Sequence, residues 1–349
     1  MKPAPPARIS VFASAWNQFW FAPINPLPLQ ALRFLVGLAA TYYLVSHVAD
    51  LSTWFGSHGL LPPASVDQLL IAQSESSRSN LAASPGFAGD SPALYSSSFH
   101  WSYLNYLTSN TALWTAHGAA ILVLICYTLG LFPRWTAPAS LIIVLSYVHR
   151  APMIAGPFES VLTMLLAYLT IAFIGPKYST RQPSIWANVS WRLIQLHVAA
   201  LYLFIALAQL SGTVGVEYEA AWWRGEALWW LIARSESRLI NFTALHSTLG
   251  TLLVNAGTHL MVAVELLFSV LIWKPLTRPM MIVAATILWV FLALVTGWVS
   301  YAVIMILATL AFLPPDRWPA WSWGVSRAAA PASHAGLGGA VAQSAASRR

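Results

Sequence analysis

The stretch YLFIALAQLSG, residues 202–212, places a glutamine in a strongly apolar segment. A primary amide within a bilayer is costly unless it finds a hydrogen-bond partner. Gln195, Tyr202 and Gln209 follow one another at seven-residue intervals, and seven residues make nearly two turns of a helix. The three side chains therefore share one helix face. Two interpretations remain open for this polar row: a hydrogen-bonded seam between helices, or the wall of a polar cavity that opens outward.

A second set of polar residues lies in the apolar segment 248–273. Thr258 and Glu265 are also seven residues apart, and Asn255 lies close to the same face. Glu265 is the most deeply placed carboxyl group of the sequence. A carboxyl group within a span is a candidate functional residue, and its cationic partner would be Arg33 or His259.

A third set of titratable residues lies in SYVHRAPMIAGPFES. His149, Arg150 and Glu159 are predicted at one outer membrane edge, on either side of a Pro/Gly turn. Three such side chains at one mouth could transfer protons or bind an anion. The alternative is that they are solvated charges of a turn.

The composition indicates which elements must position these residues. The 349 residues are 58% hydrophobic and only 8% charged, whereas a soluble domain carries about 25% charged residues. The fold class is therefore predicted to be all-α, a polytopic bundle of transmembrane helices within the lipid bilayer. Although the net charge is +7, the basic residues form no single face, so nucleic acid is not predicted as a partner.

Eight stretches are apolar enough to be predicted as spans, and together they define three regions of the chain. An N-terminal cytoplasmic or interfacial segment covers 1–28, a transmembrane domain covers 29–315, and a disordered C-terminal tail covers 316–349. The predicted spans are 29–49, 112–132, 135–149, 158–176, 191–210, 248–273, 279–298 and 300–314.

Charge counts predict the orientation of these spans. With the N-terminus inside, twelve Lys and Arg residues fall on the inner side and five on the outer side. The excess of positive charge on the inner side predicts that both termini are cytoplasmic. This orientation leaves two long segments on the outer side, 50–111 and 211–247. The second carries paired tryptophans and predicts a helix on the outer surface, acting either as a lid over a cavity or as an interfacial anchor.

Several common catalytic patterns are missing from the sequence. It contains no HExxH, no GxSxG, no P-loop and no GxGxxG, and Cys126 is its one cysteine. Because these patterns are missing, we expect neither nucleotide chemistry nor a tightly bound metal.

Several segments together resemble one known family. They are FWFAPINPLPLQALRFLVGL, WFGSHGLLPP, SYVHRAPMIAGPFESVL, IQLHVAALYLFIALAQLSG with AWWRGEALWW, and THLMVAVELLF. Their order and spacing are similar to those of the HTTM domain, the membrane domain of vitamin K-dependent gamma-glutamyl carboxylase and many bacterial relatives. The resemblance covers about residues 15–315.

The resemblance implies specific roles. In the carboxylase, a lysine on a membrane helix deprotonates reduced vitamin K, which reacts with oxygen to give the base that activates peptide glutamate. Gln209 stands at the position that matches this lysine. His149 matches a family histidine loosely, Trp223 and Gly225 match a W..G pattern, and Glu265 matches an acidic residue of the later helix.

The departure at Gln209 changes the expected function, because a carboxamide has no accessible pKa and cannot act as the base. We therefore expect a multi-pass protein without carboxylase activity that binds a quinone, a reduced vitamin K-like molecule or another lipid-like ligand in an outward-facing cavity. The alternatives are a structural membrane subunit with packed polar seams, and a membrane enzyme using another base. A partner protein could supply the soluble domain that the carboxylase carries. The 15 arginines against 3 lysines are compatible with a GC-rich bacterial genome. The membrane is then expected to be the bacterial inner membrane.

Overall fold

The computed structural model describes residues 8–57, 59–60, 62, 65, 68, 101–175, 182–211, 219–233, 239–241 and 248–314. These residues belong to one compact unit. The predicted tail 316–349 and most of the predicted outer segment 50–111 lie outside the described residues.

The described part of the chain is all-helical, as predicted, apart from turns and one antiparallel bridge between Ile24 and Ser184. Short 3-10 helices cover Tyr103–Tyr106 and Leu310–Phe312. The α-helices are α1 (Arg8–Phe21), α2 (Leu27–Ser46), α3 (Leu51–Phe55), α4 (Asn110–Leu129), α5 (Pro133–Arg150), α6 (Pro157–Ile174), α7 (Ile185–Ser211), α8 (Glu219–Arg224), α9 (Ala227–Ala233), α10 (Thr248–Leu271), α11 (Arg278–Thr296) and α12 (Val299–Thr309).

Five of these helices are long and apolar enough to cross a membrane: α2, α4, α7, α10 and α11. The apolar helices α6 and α12 are shorter. The predicted span 135–149 corresponds to α5, which contains Pro138 and ends with His149 and Arg150. Each predicted span thus coincides with a helix, while the total of eight crossings and the orientation of the termini stay predictions.

Two of the differences from the predicted helix boundaries have a clear local reason. α7 begins at Ile185 rather than 191, since its polar first turns have partners on α1: the Asn188 amide donates to the Phe19 carbonyl (2.8 Å), and the Arg192 guanidinium lies 4.5 Å from the Phe19 ring centroid. The predicted single surface helix is divided into α8 and α9 at Gly225, whose φ of 77° is left-handed.

A close approach of backbones joins α2 to α4. Gly37 is buried against Thr128, so close that a Cβ at residue 37 would lie 2.5 Å from the Thr128 hydroxyl and 2.9 Å from its Cα. Small residues at such a seam allow two membrane helices to pack by their backbones.

Arg33 stabilises the same pair of helices at the C-terminal end of α4. Its guanidinium is buried and donates to the carbonyls of Tyr127 and Thr128, the latter at 3.1 Å. Cationic groups are favourable at this negative end of a helix. Gly130 then ends α4 with a φ of 78°, and a Cβ there would lie 2.6 Å from the Arg33 guanidinium. Arg33 therefore bonds the C-terminal end of α4 and is not the cationic partner of Glu265.

We expect Gly37→Ala to lower the free energy of unfolding by about 1–3 kcal/mol, because the added methyl group meets the α4 backbone. The measurement is unfolding in mixed micelles, followed by tryptophan fluorescence. Gly118→Ala is the matched control, since Gly118 lies on α4 with no atom within 4 Å of an added Cβ. That control should be neutral or stabilising by up to about 1 kcal/mol. Equal destabilisation by both substitutions would contradict the backbone contact.

Candidate functional site

The polar row of α7 packs against other helices at its two inner positions. The Gln195 amide donates to the Ala311 carbonyl (2.8 Å) and accepts from Arg192 (2.9 Å). Tyr202 is fully buried, its ring stacks on Phe268 with centroids 3.9 Å apart, and its hydroxyl accepts from the Trp289 indole (2.7 Å). These contacts belong to a seam between helices.

The outer position of the row pairs with the carboxyl group of α10. Gln209 and Glu265 are both buried, 6% and 1% exposed, and their side chains lie within interaction range of each other. One oxygen of each, Gln209 Oε1 and Glu265 Oε2, has no hydrogen-bond partner within the described residues. Tyr202 and Tyr301 lie within electrostatic range of Glu265. Sequence spacing placed Gln209 and Glu265 each on a polar face of its own helix, and the fold brings the two side chains together.

The residues of the predicted outer mouth serve separate local contacts. His149 Nδ1 lies 3.0 Å from the Trp101 carbonyl oxygen, and Glu159 accepts from the Gly156 amide (2.7 Å) at the start of α6. Arg150 is 1% exposed, so it is a buried cation and not the solvated turn charge of one interpretation. Trp223 is exposed, and its indole donates to the Leu210 carbonyl (3.0 Å), which ties α8 to the end of α7.

A cluster of imidazoles and phenols at the same side of the bundle was not predicted. His117 Nδ1 and the Tyr147 hydroxyl are 2.6 Å apart, Tyr103 lies within interaction range of Tyr147, and the His47 ring stacks on Tyr147. Burial lowers the pKa of His47 and raises the pKa of Tyr103 to about 12, so both are neutral at pH 7. These residues come from distant parts of the sequence, and no spacing rule connects them.

His197 lies off the polar row and pairs with α6. Its Nδ1 is 2.8 Å from the Tyr168 hydroxyl. The pair lines a shallow cavity of about 330 Å³ beside the exposed Leu196 and Phe204. The Tyr168 contact supplies a partner for one imidazole nitrogen on a lipid-facing surface.

A larger cavity lies between α9, α10 and α11. Its volume is about 510 Å³ and its surface is almost entirely apolar. Leu228 and Ile232 of α9 cover one side, while Gly257 and Met261 of α10 and Ala284 of α11 contribute to the others. We call this space the apolar cavity. None of Gln195, Tyr202, Gln209 and Glu265 lines it.

A second space adjoins the apolar cavity at Val254, which lines both. This polar mouth has a volume of about 250 Å³ and lies near the first two turns of α10. Its lining residues are Gly225, Glu226, Trp229, Trp230, Thr251, Val254 and Asn255. An apolar space and a polar space thus meet along one helix.

Two polar residues of α10 hold the turn that carries this mouth. The Asn255 amide, oriented with its nitrogen toward the backbone, donates to the carbonyls of Gly225 (2.9 Å) and Arg224 (2.5 Å). Thr258 is fully buried, donates to the Gly225 carbonyl (2.9 Å) and accepts from the Leu228 amide (3.1 Å). Asn255 and Thr258, predicted on one face with Glu265, therefore position the covering helix α9 on α10.

Sequence reasoning missed the lining of the apolar cavity. Ala284, Ile287 and Phe291 belong to a uniformly apolar helix, in which no residue type distinguishes a cavity from a packed or lipid-facing surface. The paired tryptophans of α9 were the available signal, because they predicted a surface helix that could cover a cavity.

The long apolar helices define the class of this protein: it is a multi-pass helical membrane protein. No protein-family model, curated protein or solved structure matches the chain.

We expect a double-mutant cycle to detect the contact between Gln209 and Glu265. Leucine at either position leaves the other polar group buried without its partner, whereas leucine at both removes both groups. The coupling energy should be about 0.5–2 kcal/mol, the range of hydrogen bonds between membrane helices. The measurement is unfolding of the four proteins in mixed micelles. Additive effects would show that the two side chains act independently.

Proposed function

We propose that this multi-pass membrane protein binds a lipid-like ligand in the apolar cavity, with the ligand's polar end in the polar mouth. The volume of the apolar cavity, about 510 Å³, falls within the range of small-molecule sites, and such sites are mostly apolar with a few polar groups at one side. The observation that carries the proposal is that the two spaces follow one another along α10 and share the lining residue Val254.

The position of the cavity fits an amphipathic ligand that enters from the bilayer. Asn255 in the mouth and Val264 in the apolar cavity both lie on α10, and nine residues of helix extend about 14 Å. Depth along α10 therefore separates the polar end of the site from the apolar end. Leu260 and Ile287 line the cavity and are each 64% exposed in the protein, so the cavity is open toward the lipid side.

This location replaces the polar row as the proposed site. The inner part of the row is occupied by protein groups, since Gln195 bonds Ala311 and Tyr202 bonds Trp289. A ligand there would have to displace these hydrogen bonds in a low-dielectric environment, where each unpaired group is expensive.

The quoted sequence segments support the further proposal that the chain is an HTTM-like protein without the carboxylase reaction. Gln209 supplies an amide where the family lysine would supply a base, and the amide lies beside Glu265. A quinone remains one candidate ligand within the lipid-like class.

The alternative function is a structural membrane subunit. The packing of Gln195 and Tyr202 favours it, because a polar row that serves as a seam needs no ligand. The two functions differ in one observable, namely whether a lipid-like molecule binds at the apolar cavity.

We expect Ala284→Phe to weaken binding of a decyl-tailed benzoquinone at least tenfold, because a benzyl group at residue 284 fills the apolar cavity. Binding is measured in alkyl maltoside micelles by quenching of tryptophan fluorescence. Val283→Phe is the matched control: Val283 neighbours Ala284 on α11, is 57% exposed and does not line the cavity. The control should bind as the unmodified protein does.

Gln209→Leu separates the two possible locations. The proposed site predicts unchanged binding in this variant, whereas a ligand on the polar row would lose affinity. Equal binding by the Ala284 variant, or absence of binding of every single-tailed amphiphile by the unmodified protein, would leave the structural subunit as the better account.

A further inference from the structure

We infer that the polar mouth recognises an ammonium group, so that the ligand is an amphiphile with a cationic or zwitterionic head and an apolar tail. The inference rests on the proposed function, since it names the chemistry of the head group at the same site. It differs from the quinone expectation, because a quinone has no charge.

The charge of the mouth is the first observation. Among the residues that the structure describes, Glu226 is the one ionisable side chain that lines either space, and it is exposed. Its position is fixed by backbone bonds: its amide donates to the Ala221 carbonyl (2.7 Å), and its carbonyl accepts from the Trp229 amide (2.9 Å). A single carboxylate at the entrance of an apolar space attracts a cation and repels an anionic head group.

The aromatic content of the mouth is the second observation. Trp229 and Trp230 line the same space as Glu226. The face of an indole attracts ammonium groups, and the combination of indole rings with a carboxylate is the usual recognition of alkylated ammonium. Trp230 is 47% exposed, so its ring is accessible to a head group at the surface.

Of the described polar residues beside Glu226, Asn255 is bonded to the protein backbone, whereas Glu226 is exposed. The Asn255 amide nitrogen is directed at backbone carbonyls of the turn at Gly225. Arg224 is exposed and lies two residues from Glu226, but it does not line the mouth.

The depth of the mouth agrees with a lipid head group. It lies at the end of α10 that the charge distribution predicts to be outside, and the apolar cavity continues toward the membrane interior along Gly257, Met261 and Val264. A lipid that enters from the outer leaflet would have its head in the polar mouth and its tail in the apolar cavity without turning over.

The test compares two probes with the same tail in alkyl maltoside micelles, which bring no competing ammonium group. The probes are decyltrimethylammonium and monodecanoyl glycerol, and native mass spectrometry of the full chain gives their affinities. We expect the ammonium probe to bind about tenfold more tightly, with an advantage that shrinks as salt concentration rises.

Glu226→Gln should weaken the ammonium probe five- to tenfold and leave the glycerol probe unchanged. Asp50→Asn is the charge-matched control, because it removes one negative charge from an exposed residue that lines neither space. It should change neither affinity by more than about twofold.

The outcomes separate this inference from the proposed function. If Ala284→Phe weakens both probes while Glu226→Gln weakens neither, the lipid-like site stands and the ammonium head is wrong. Equal binding of the two probes by the unmodified protein overturns the ammonium inference in the same way. If Ala284→Phe leaves both probes unaffected, the site itself is wrong, and the inference fails with it.

Discussion

A polar group enclosed among lipid-facing helices must find its hydrogen bond within the protein, because hydrocarbon offers none. This constraint explains most of the specific contacts of the bundle. Arg33 satisfies the last carbonyls of α4, Gln195 bonds a carbonyl of the closing 3-10 helix, and Tyr202 bonds Trp289. Each such bond joins two helices that are far apart in the sequence, so the pairing of polar groups also fixes which helices are neighbours.

The same constraint separates the polar seam from the space available to a ligand. Along α7 the polar groups are used for packing, whereas the cavity between α9, α10 and α11 is apolar and needs no internal partners. The two spaces meet where α9 begins. There, the left-handed conformation of Gly225 lets the chain turn, and Asn255 and Thr258 bond the backbone of that turn to α10. The position of Glu226 and the tryptophans of α9 follows from these bonds.

Particular residues show how far the sequence could predict the structure. Low charge and long apolar stretches predicted an all-helical membrane protein, and the five long helices confirm that class. Seven-residue spacing placed Gln195, Tyr202 and Gln209 on one face, and all three are buried. The sequence left open whether that face was a seam or a cavity wall, since the same spacing serves both. The partners Ala311 and Trp289 answer the question for the inner residues, and they lie 116 and 87 residues away.

By itself, the sequence determined the kind of environment in which this chain folds and the helix faces on which its polar groups lie. These are properties of composition and of helical periodicity, which act over a few turns. Only the tertiary structure decided that Glu265 meets Gln209, that Arg33 stabilises the end of α4, and that Ala284 faces a cavity. The reason is physical: an apolar side chain has the same preference for lipid, for a packed core or for a cavity wall. The arrangement of neighbouring helices decides which of the three it contacts.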